Sequence, residues 1–289
     1  MLSWTPTGAS APTTTDLDEV VRLVAGRRVL VLSGAGLSTE SGIPDYRGAS
    51  GQLRRHTPMT YEQFVGAEDN RRRYWARSHL GWRTITGAAP NAGHRAVADL
   101  HRAGYLSGVI TQNVDGLHQA AGTPGVVELH GSLARVICLG CRRTSPRDEL
   151  DRRLRQANPG FDAAAVRVNP DGDVDLADDD VRDFRVVGCT DCGGGVLKPD
   201  VVFFGESVPR PRVDRCYAMV DDAAGVLVLG SSLAVMSGLR FVRDAARASK
   251  PVIIVNRGQT RGDPYATLRV DLPLGRALTE LTARLTVAA

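Results

Sequence analysis

Four of the five cysteines fall into two pairs, Cys138-x-x-Cys141 and Cys189-x-x-Cys192. A two-residue spacer lets both thiolates of a pair reach one ion, and two such pairs complete a tetrahedral, all-sulfur zinc site. Two separate redox dithiols are the competing reading, but neither pair follows the first strand of a thioredoxin-like unit. No His or carboxylate joins the set, so the expected site is closed and structural, with one zinc per chain. The 47 residues between Cys141 and Cys189 exceed the ~15–20 of a compact zinc ribbon, so a long insert lies between the pairs. Cys216 lies in an apolar-periodic stretch and reads as a buried free thiol.

A second chemistry follows the first apolar run, Val29–Leu32. There Gly34-Ala35-Gly36-Leu37-Ser38 is followed by Gly42-Ile43-Pro44-Asp45-Tyr46-Arg47. A Gly-x-Gly turn at a strand end lets backbone approach a pyrophosphate. A tight turn with no ligand accounts for a lone Gly-x-Gly equally well. No third glycine stands three residues after Gly36, Pro44 breaks the following stretch, and no acidic residue ends a second strand ~20 residues on. A dinucleotide held here is held differently from a hydride carrier, which leaves room for it to be consumed. A third cluster, Thr111-Gln112-Asn113-Val114-Asp115-Gly116-Leu117-His118, follows another apolar run, and His130-Gly131 follows a further one. Asn113, Asp115 and Gly116 also suit a plain turn and helix cap. Their shared edge with His130 makes that imidazole a candidate general base.

The elements that must position these groups alternate. Short apolar runs recur at Val109–Thr111, Val126–Leu129, Val226–Leu229 and Val252–Val255, with helical patterns at His94–Ala103 and Ser237–Ala248 between them. Asp16–Ala25 reads as an amphipathic helix, with Asp16 as N-cap and Glu19 three residues on. Strands alternating with helices predict a parallel, doubly wound α/β sheet. The segments Leu53–Trp82 and Cys138–Cys192 interrupt this rhythm and read as insertions forming a second, smaller lobe. There are no internal repeats.

Taken together, these motifs resemble the sirtuin family, along with Lys198-Pro199-Asp200-Val201-Val202-Phe203-Phe204-Gly205-Glu206, Gly230-Ser231-Ser232-Leu233 and Asn256. They run in that family's order and cover the chain from about residue 16 onward. Tyr46, Thr57-Pro58-Met59-Thr60, Arg73-Tyr74-Trp75-Ala76-Arg77 and the long insert are most similar to the class II branch, which includes the mitochondrial lipoamidase-like sirtuins. The resemblance implies one sirtuin-type domain. Its Rossmann-like lobe spans about 16–50, 84–133 and 194–289, and its small lobe joins a helical part at 51–83 to a zinc-binding part at 134–193. It also implies an NAD-dependent protein lysine deacylase that releases nicotinamide and O-acyl-ADP-ribose. Mono-ADP-ribosyl transfer to protein, which uses the same bond cleavage, is the alternative; a non-enzymatic NAD sensor has no need of a base.

The resemblance also assigns roles. NAD, consumed as co-substrate, is expected at Gly34, Ala35, Gly36, Ser38, Thr39, Asp45, Tyr46 and Arg47. Further contacts are expected from Gln112, Asn113, Asp115, Gly230, Ser231, Ser232, Asn256, Arg257, Gly258 and Leu274. His130 is the expected catalytic base, with Asn113 and Asp115 as catalytic partners. An imidazole at its ordinary pKa would lose activity below ~6.5. The acylated lysine of a protein substrate is expected along Val202 and Phe203, with Gly205, Glu206 and Val235 pairing to its backbone as added strands. Tyr74 and Arg77, three apart in a helical segment, resemble a Tyr-x-x-Arg pair that holds acyl carboxylates, so glutaryl-type lysine is an expected substrate.

The rest of the chain narrows the partners. Seven Asp crowd 171–183, but Leu176 and Arg182 stand where a calcium loop needs Gly and Glu, so a solvated loop is expected, with a gating role open to it. A net charge of +4 is too small to indicate nucleic acid, and no unbroken apolar run approaches the ~18 residues of a membrane span. The Thr-, Ser- and Pro-rich first fifteen residues lack the basic and apolar regions of a signal peptide, so a cytoplasmic protein with a flexible tail is expected.

Overall fold

A computed structural model describes residues 12–46, 58–161, 169, 172–177 and 181–287. In chain order the elements are β1 (Thr13–Thr14), α1 (Asp18–Val24), β2 (Val29–Ser33), α2 (Tyr61–Gly66), α3 (Glu68–Gly87), α4 (Ala92–Arg102), β3 (Leu106–Thr111), α5 (Leu117–Ala120) and β4 (Val127–Glu128). They continue as β5 (Gly131–Cys138), β6 (Thr144–Pro146), α6 (Arg147–Ala157), β7 (Leu197–Val201), α7 (Arg210–Asp222), β8 (Val226–Leu229), α8 (Met236–Arg247), β9 (Val252–Val255), β10 (Leu268–Val270) and α9 (Leu274–Val287).

Seven strands form one parallel sheet in the order β1-β10-β9-β8-β2-β3-β4. The apolar runs that predicted its strands lack alternation because both faces are covered. In β2, Val29 and Val31 enter one core cluster and Leu30 and Leu32 the other, all at most 1% exposed. From β2 the chain moves to β3 on one side and only later reaches β8 on the other. The chain leaving β2 and the chain leaving β8 therefore go on to strands on opposite sides, which makes this a switch point, where open α/β sheets bind ligands.

The second sheet is antiparallel, β6-β5-β7, and shares a core with α2, α3 and α6 around Phe64, Trp75 and Phe184. Trp75 Nε1 donates to the Leu197 carbonyl at 3.1 Å, tying α3 to β7. Helix α3 runs from Glu68 to Gly87 without a break at residues 83–84. Among the described residues no helix is long and apolar enough to cross a membrane.

Two local expectations are corrected. The first helix begins at Asp18, with Leu17 as N-cap. Asp16 Oδ1 accepts from the Asp18 N–H at 3.0 Å, and Glu19 pairs with Arg22, so no capping box forms. The acidic insert is not a solvated loop where it is described. Asp173 and Val174 are buried, and Val174 and Leu176 join the core of the second sheet. Asp173 and Asp175 both accept from Asn169 Nδ2, at 2.7 and 2.9 Å, so these two acidic side chains are held by internal hydrogen bonds.

Candidate active site and metal centre

The loops after β2, β3, β4 and β8 meet over a cavity of about 1380 Å³. This exceeds the ~300–1,000 Å³ of a single-ligand pocket and gives room for two substrates side by side. Two glycines of the first loop are explained by packing. A Cβ on Gly34 would lie 2.7 Å from Ser231 Cβ, and one on Gly36 would lie 2.9 Å from the Gly230 carbonyl oxygen. The Gly36 N–H donates to that same oxygen at 2.8 Å. The two loops are pressed together at the switch point, so the glycine pattern serves this contact and the Gly36 amide is already spent on it.

Gly34, Ala35, Gly36, Ser38, Thr39, Asp45 and Tyr46 line the cavity, as do Gln112, Asn113 and Asp115. From the far side Gly230, Ser231, Ser232, Asn256, Arg257 and Leu274 join them. Gly258 is not among the lining residues; its carbonyl accepts from Asn256 Nδ2 and Arg269 Nη2, which holds the Asn256 loop. Arg47 lies outside the described residues. These neutral hydroxyls and amides at converging strand ends suit the ribose hydroxyls and carboxamide of a dinucleotide.

Asn113 and Asp115 are fixed by one network. Asn113 Nδ2 donates to the Gly34 carbonyl at 3.1 Å and to Ser38 Oγ at 3.0 Å, and Ser38 Oγ donates to Asp115 Oδ2 at 2.6 Å. Burial pushes the Asp115 carboxyl upward, against the opposing hydrogen bond from Ser38. Asp115 Oδ1 also accepts from the Leu117 N–H at 2.9 Å, so the turn-and-cap reading and the site reading both hold. Behind them, Ser33 Oγ donates to Thr111 Oγ1 and contacts His118 Nε2, closing a buried polar floor.

His130 reaches the same cavity. The Leu129 N–H donates to the Thr111 carbonyl, and the His130 carbonyl accepts from the Val202 N–H, so both sheets grip its backbone. Nδ1 lies 3.0 Å from the Gln112 carbonyl. A carbonyl only accepts, so Nδ1 carries the proton and Nε2 keeps the lone pair of a base. Burial pushes the imidazole down to about 4, the Gln112 carbonyl opposes this, and the Arg212 charge adds to it. The ring is therefore neutral at pH 7.

The four cysteines converge at the end of the second sheet, with their Sγ atoms all within 4.8 Å of one another. Cys138–Cys192 and Cys141–Cys189 are 3.6 and 3.9 Å apart, and none is disulfide-bonded. A tetrahedron with ~2.3 Å zinc–sulfur bonds has edges of about 3.8 Å, so the set fits zinc. Among the described residues no His or carboxylate completes the cluster, which leaves a closed structural site.

Of the expected substrate residues, Tyr74, Val202, Phe203, Gly205, Glu206 and Val235 line the cavity and Arg77 does not. Arg77 Nη2 faces the Leu176 carbonyl at 3.4 Å, so α3 presents Tyr74 to the cavity and Arg77 to the insert. Residues three apart on a helix differ by only about 60° around its axis, so the two side chains part because of what each packs against, Phe203 for Tyr74 and Leu176 for Arg77, and not because of their spacing. Glu206 is committed inward. Its carboxylate accepts from the Phe203 N–H at 2.9 Å and pairs with buried Lys198 at 3.1 Å, and its own N–H donates to the Phe203 carbonyl. The motif Lys198–Glu206 thus shapes the cavity wall, and strand pairing through the Glu206 N–H is not open. Glu40, Ser237 and Arg240 line the cavity without having been assigned to it from the sequence. Leu233 adopts φ 53° at 0% exposure, a strained conformation for a branched side chain. Only Ser237 carried a sequence signal, standing at the start of a helix soon after Ser231-Ser232.

Residues 34–237 match the family model described as the Sir2 family. An NAD-dependent protein deacetylase 1 of Streptomyces coelicolor is 66% identical over 284 residues, covering 98% of this chain and 95% of that protein. A protein of the same name from Mycobacterium avium is 52% identical over 258 residues, covering 88% and 90%. A solved Sir2 homologue–NAD complex superposes with a TM-score of 0.74 at 27% identity, covering 97% of each chain. A structure of Sir2 bound to acetylated peptide gives 0.73 at 26%, covering 94% of this chain and 99% of that one. The chain therefore belongs to the Sir2 family.

Proposed function

We infer that the chain is an NAD-dependent protein lysine deacylase. The observation that carries this is His130: a neutral imidazole, held by the Gln112 carbonyl in the tautomer that leaves Nε2 basic, at the wall of the cavity that Asn113 and Asp115 share. When bound, NAD supplies an electrophilic ribose carbon and nicotinamide as leaving group. Asn113 and Asp115 orient its ribose and amide, Ser38 holds both of them, and His130 takes the proton of a ribose hydroxyl at Nε2. The acyl-lysine reaches the same point past Tyr74, Val202 and Phe203. Four cysteines hold one structural zinc away from this chemistry.

The acetylated peptide of the solved Sir2 complex and the deacetylase names of the relatives support acetyl-lysine as a substrate. We assign the class II branch on Tyr46, the Tyr74 segment and the long insert. The acyl group favoured is an apolar one, because Tyr74 packs at a tilt against Phe203 with ring centroids 5.2 Å apart and Arg77 turns away.

The test is a panel of acetyl-, butyryl-, octanoyl- and glutaryl-lysine peptides with NAD. Nicotinamide and O-acyl-ADP-ribose should form in step with free lysine. ADP-ribose covalently on protein, with no free O-acyl-ADP-ribose, would point to the transferase reading, and no nicotinamide release at all would sink both.

A further inference from the structure

The base has a second partner. Ser237 Oγ lies 2.8 Å from His130 Nε2, the atom that must accept the proton. Nδ1 is committed as donor to Gln112, so Nε2 of the neutral ring accepts and the Ser237 hydroxyl donates. Once Nε2 is protonated it becomes a donor. A serine oxygen can accept from it after the hydroxyl hydrogen merely rotates about Cβ–Oγ, with no heavy atom moving.

The helix that carries Ser237 is placed for this. The next residue, Gly238, has no room for a side chain: a Cβ there would lie 2.6 Å from Gln112 Oε1. Glycine inside a helix costs about 1 kcal/mol relative to Ala, yet Gly238 sits within the first turn of α8. Its lack of a side chain lets α8 press against the residue whose carbonyl holds the imidazole. Gln112 is fixed in turn, its Nε2 donating to Ser231 Oγ at 2.8 Å.

We propose that Ser237 is a positioning residue for the base, holding Nε2 of the neutral imidazole as donor and of the imidazolium as acceptor. This rests on His130 being the base. The charged group that acts on the ring is Arg212 of α7; Gln112 and Ser237, which touch it from the loop after β3 and from α8, are neutral. A bond to the charged form is about twice as strong as one to the neutral form, so Ser237 raises the basicity of His130 within its buried setting.

The experiment is nitrogen NMR of the His130 ring in the NAD-free enzyme, with Ser237→Ala, Ser237→Thr and Gly238→Ala. Ser237→Ala should lower the ring's titration midpoint by about half a unit or more. Its kcat should fall roughly tenfold while the calorimetric Kd for NAD holds within twofold. Ser237→Thr, which keeps the hydroxyl, should restore the midpoint, and Gly238→Ala should mimic Ser237→Ala by lifting the helix. An unshifted midpoint in Ser237→Ala, or a Thr variant no better than Ala, overturns the proposal. His130→Ala separates the two readings: if it still turns over, the assignment of the base fails, whereas an inactive His130→Ala beside an unaltered Ser237→Ala condemns only the role of Ser237.

Discussion

The base proposed at His130 combines two properties that pull against each other: the role requires it to accept a proton, and its burial resists one. Burial holds its pKa at about 4, so the ring is wholly in its accepting form at neutral pH, at the expense of basicity. The acid limb of kcat/KM should accordingly fall well below pH 6.5, since activity is lost only as the neutral ring protonates. A limb at 6.5 or above in a pH–rate profile would assign it to another group. His130→Ala should lower kcat by ~10²–10⁴-fold and leave NAD affinity, read by calorimetry, within a few-fold. Arg77 makes a different case. With its guanidinium at the Leu176 carbonyl, Arg77→Met should leave the glutaryl-to-acetyl ratio of kcat/KM unchanged within about twofold while loosening the insert. A tenfold loss confined to glutaryl-lysine, about 1.4 kcal/mol, would return the residue to the cavity.

Elements here are held at close backbone contacts, and these set what each can tolerate. Helix α3 carries Gly81 in mid-helix, and a Cβ there would lie 2.1 Å from the Gly172 carbonyl oxygen of the insert. In an exposed helix Gly→Ala stabilises by up to about 1 kcal/mol. Gly81→Ala should instead lower the unfolding midpoint and expose residues 172–177 to protease, because neither backbone can yield without disturbing Val174 and Leu176. A variant as stable as the parent in thermal unfolding would show that the insert does not seat there. On the other face of the same helix Arg147 lies between the rings of Trp75 and Trp82, 5.3 and 5.2 Å from their centroids, with Asp151 at 3.6 Å. A buried cation is tolerable there because two π faces and a carboxylate replace its water.

At the scale of the molecule, two sheets of unequal self-sufficiency share one chain. The seven-stranded sheet has large apolar clusters on both faces, whereas the three-stranded one has one large cluster and a much smaller one around Leu133, and ends in the four cysteines. Zinc contributes folding energy outright to such a unit. Elemental analysis should give about one zinc per chain. Chelation, or Cys189→Ala, should lower the thermal midpoint and abolish deacylation together, since β5 leads from His130 to Cys138 and connects the base to the metal centre. Fully folded, active protein without metal would refute this.

Much of this could be read from residue order, because some chemistry is local. A Cys-x-x-Cys pair is a ligand pair wherever it folds. Val226–Leu229 and Val252–Val255 are strands to the residue because a short, unbroken apolar run rich in Val and Ile suits a sheet buried on both faces. Asn113, Asp115 and His130 could be placed on one edge because each follows such a run. What sequence spacing could not decide was direction and contact across the chain. Whether Arg77 faces the cavity depends on Leu176, 99 residues away. That Gly36 also packs on Gly230 depends on two loops meeting at the switch point. That Asp173 is buried depends on a helix with a glycine opposite it. Ser237 belongs to this second kind: only the packing of α8 against Gln112, set by the absence of a Cβ at Gly238, brings its hydroxyl to the nitrogen of a histidine 107 residues earlier in the chain.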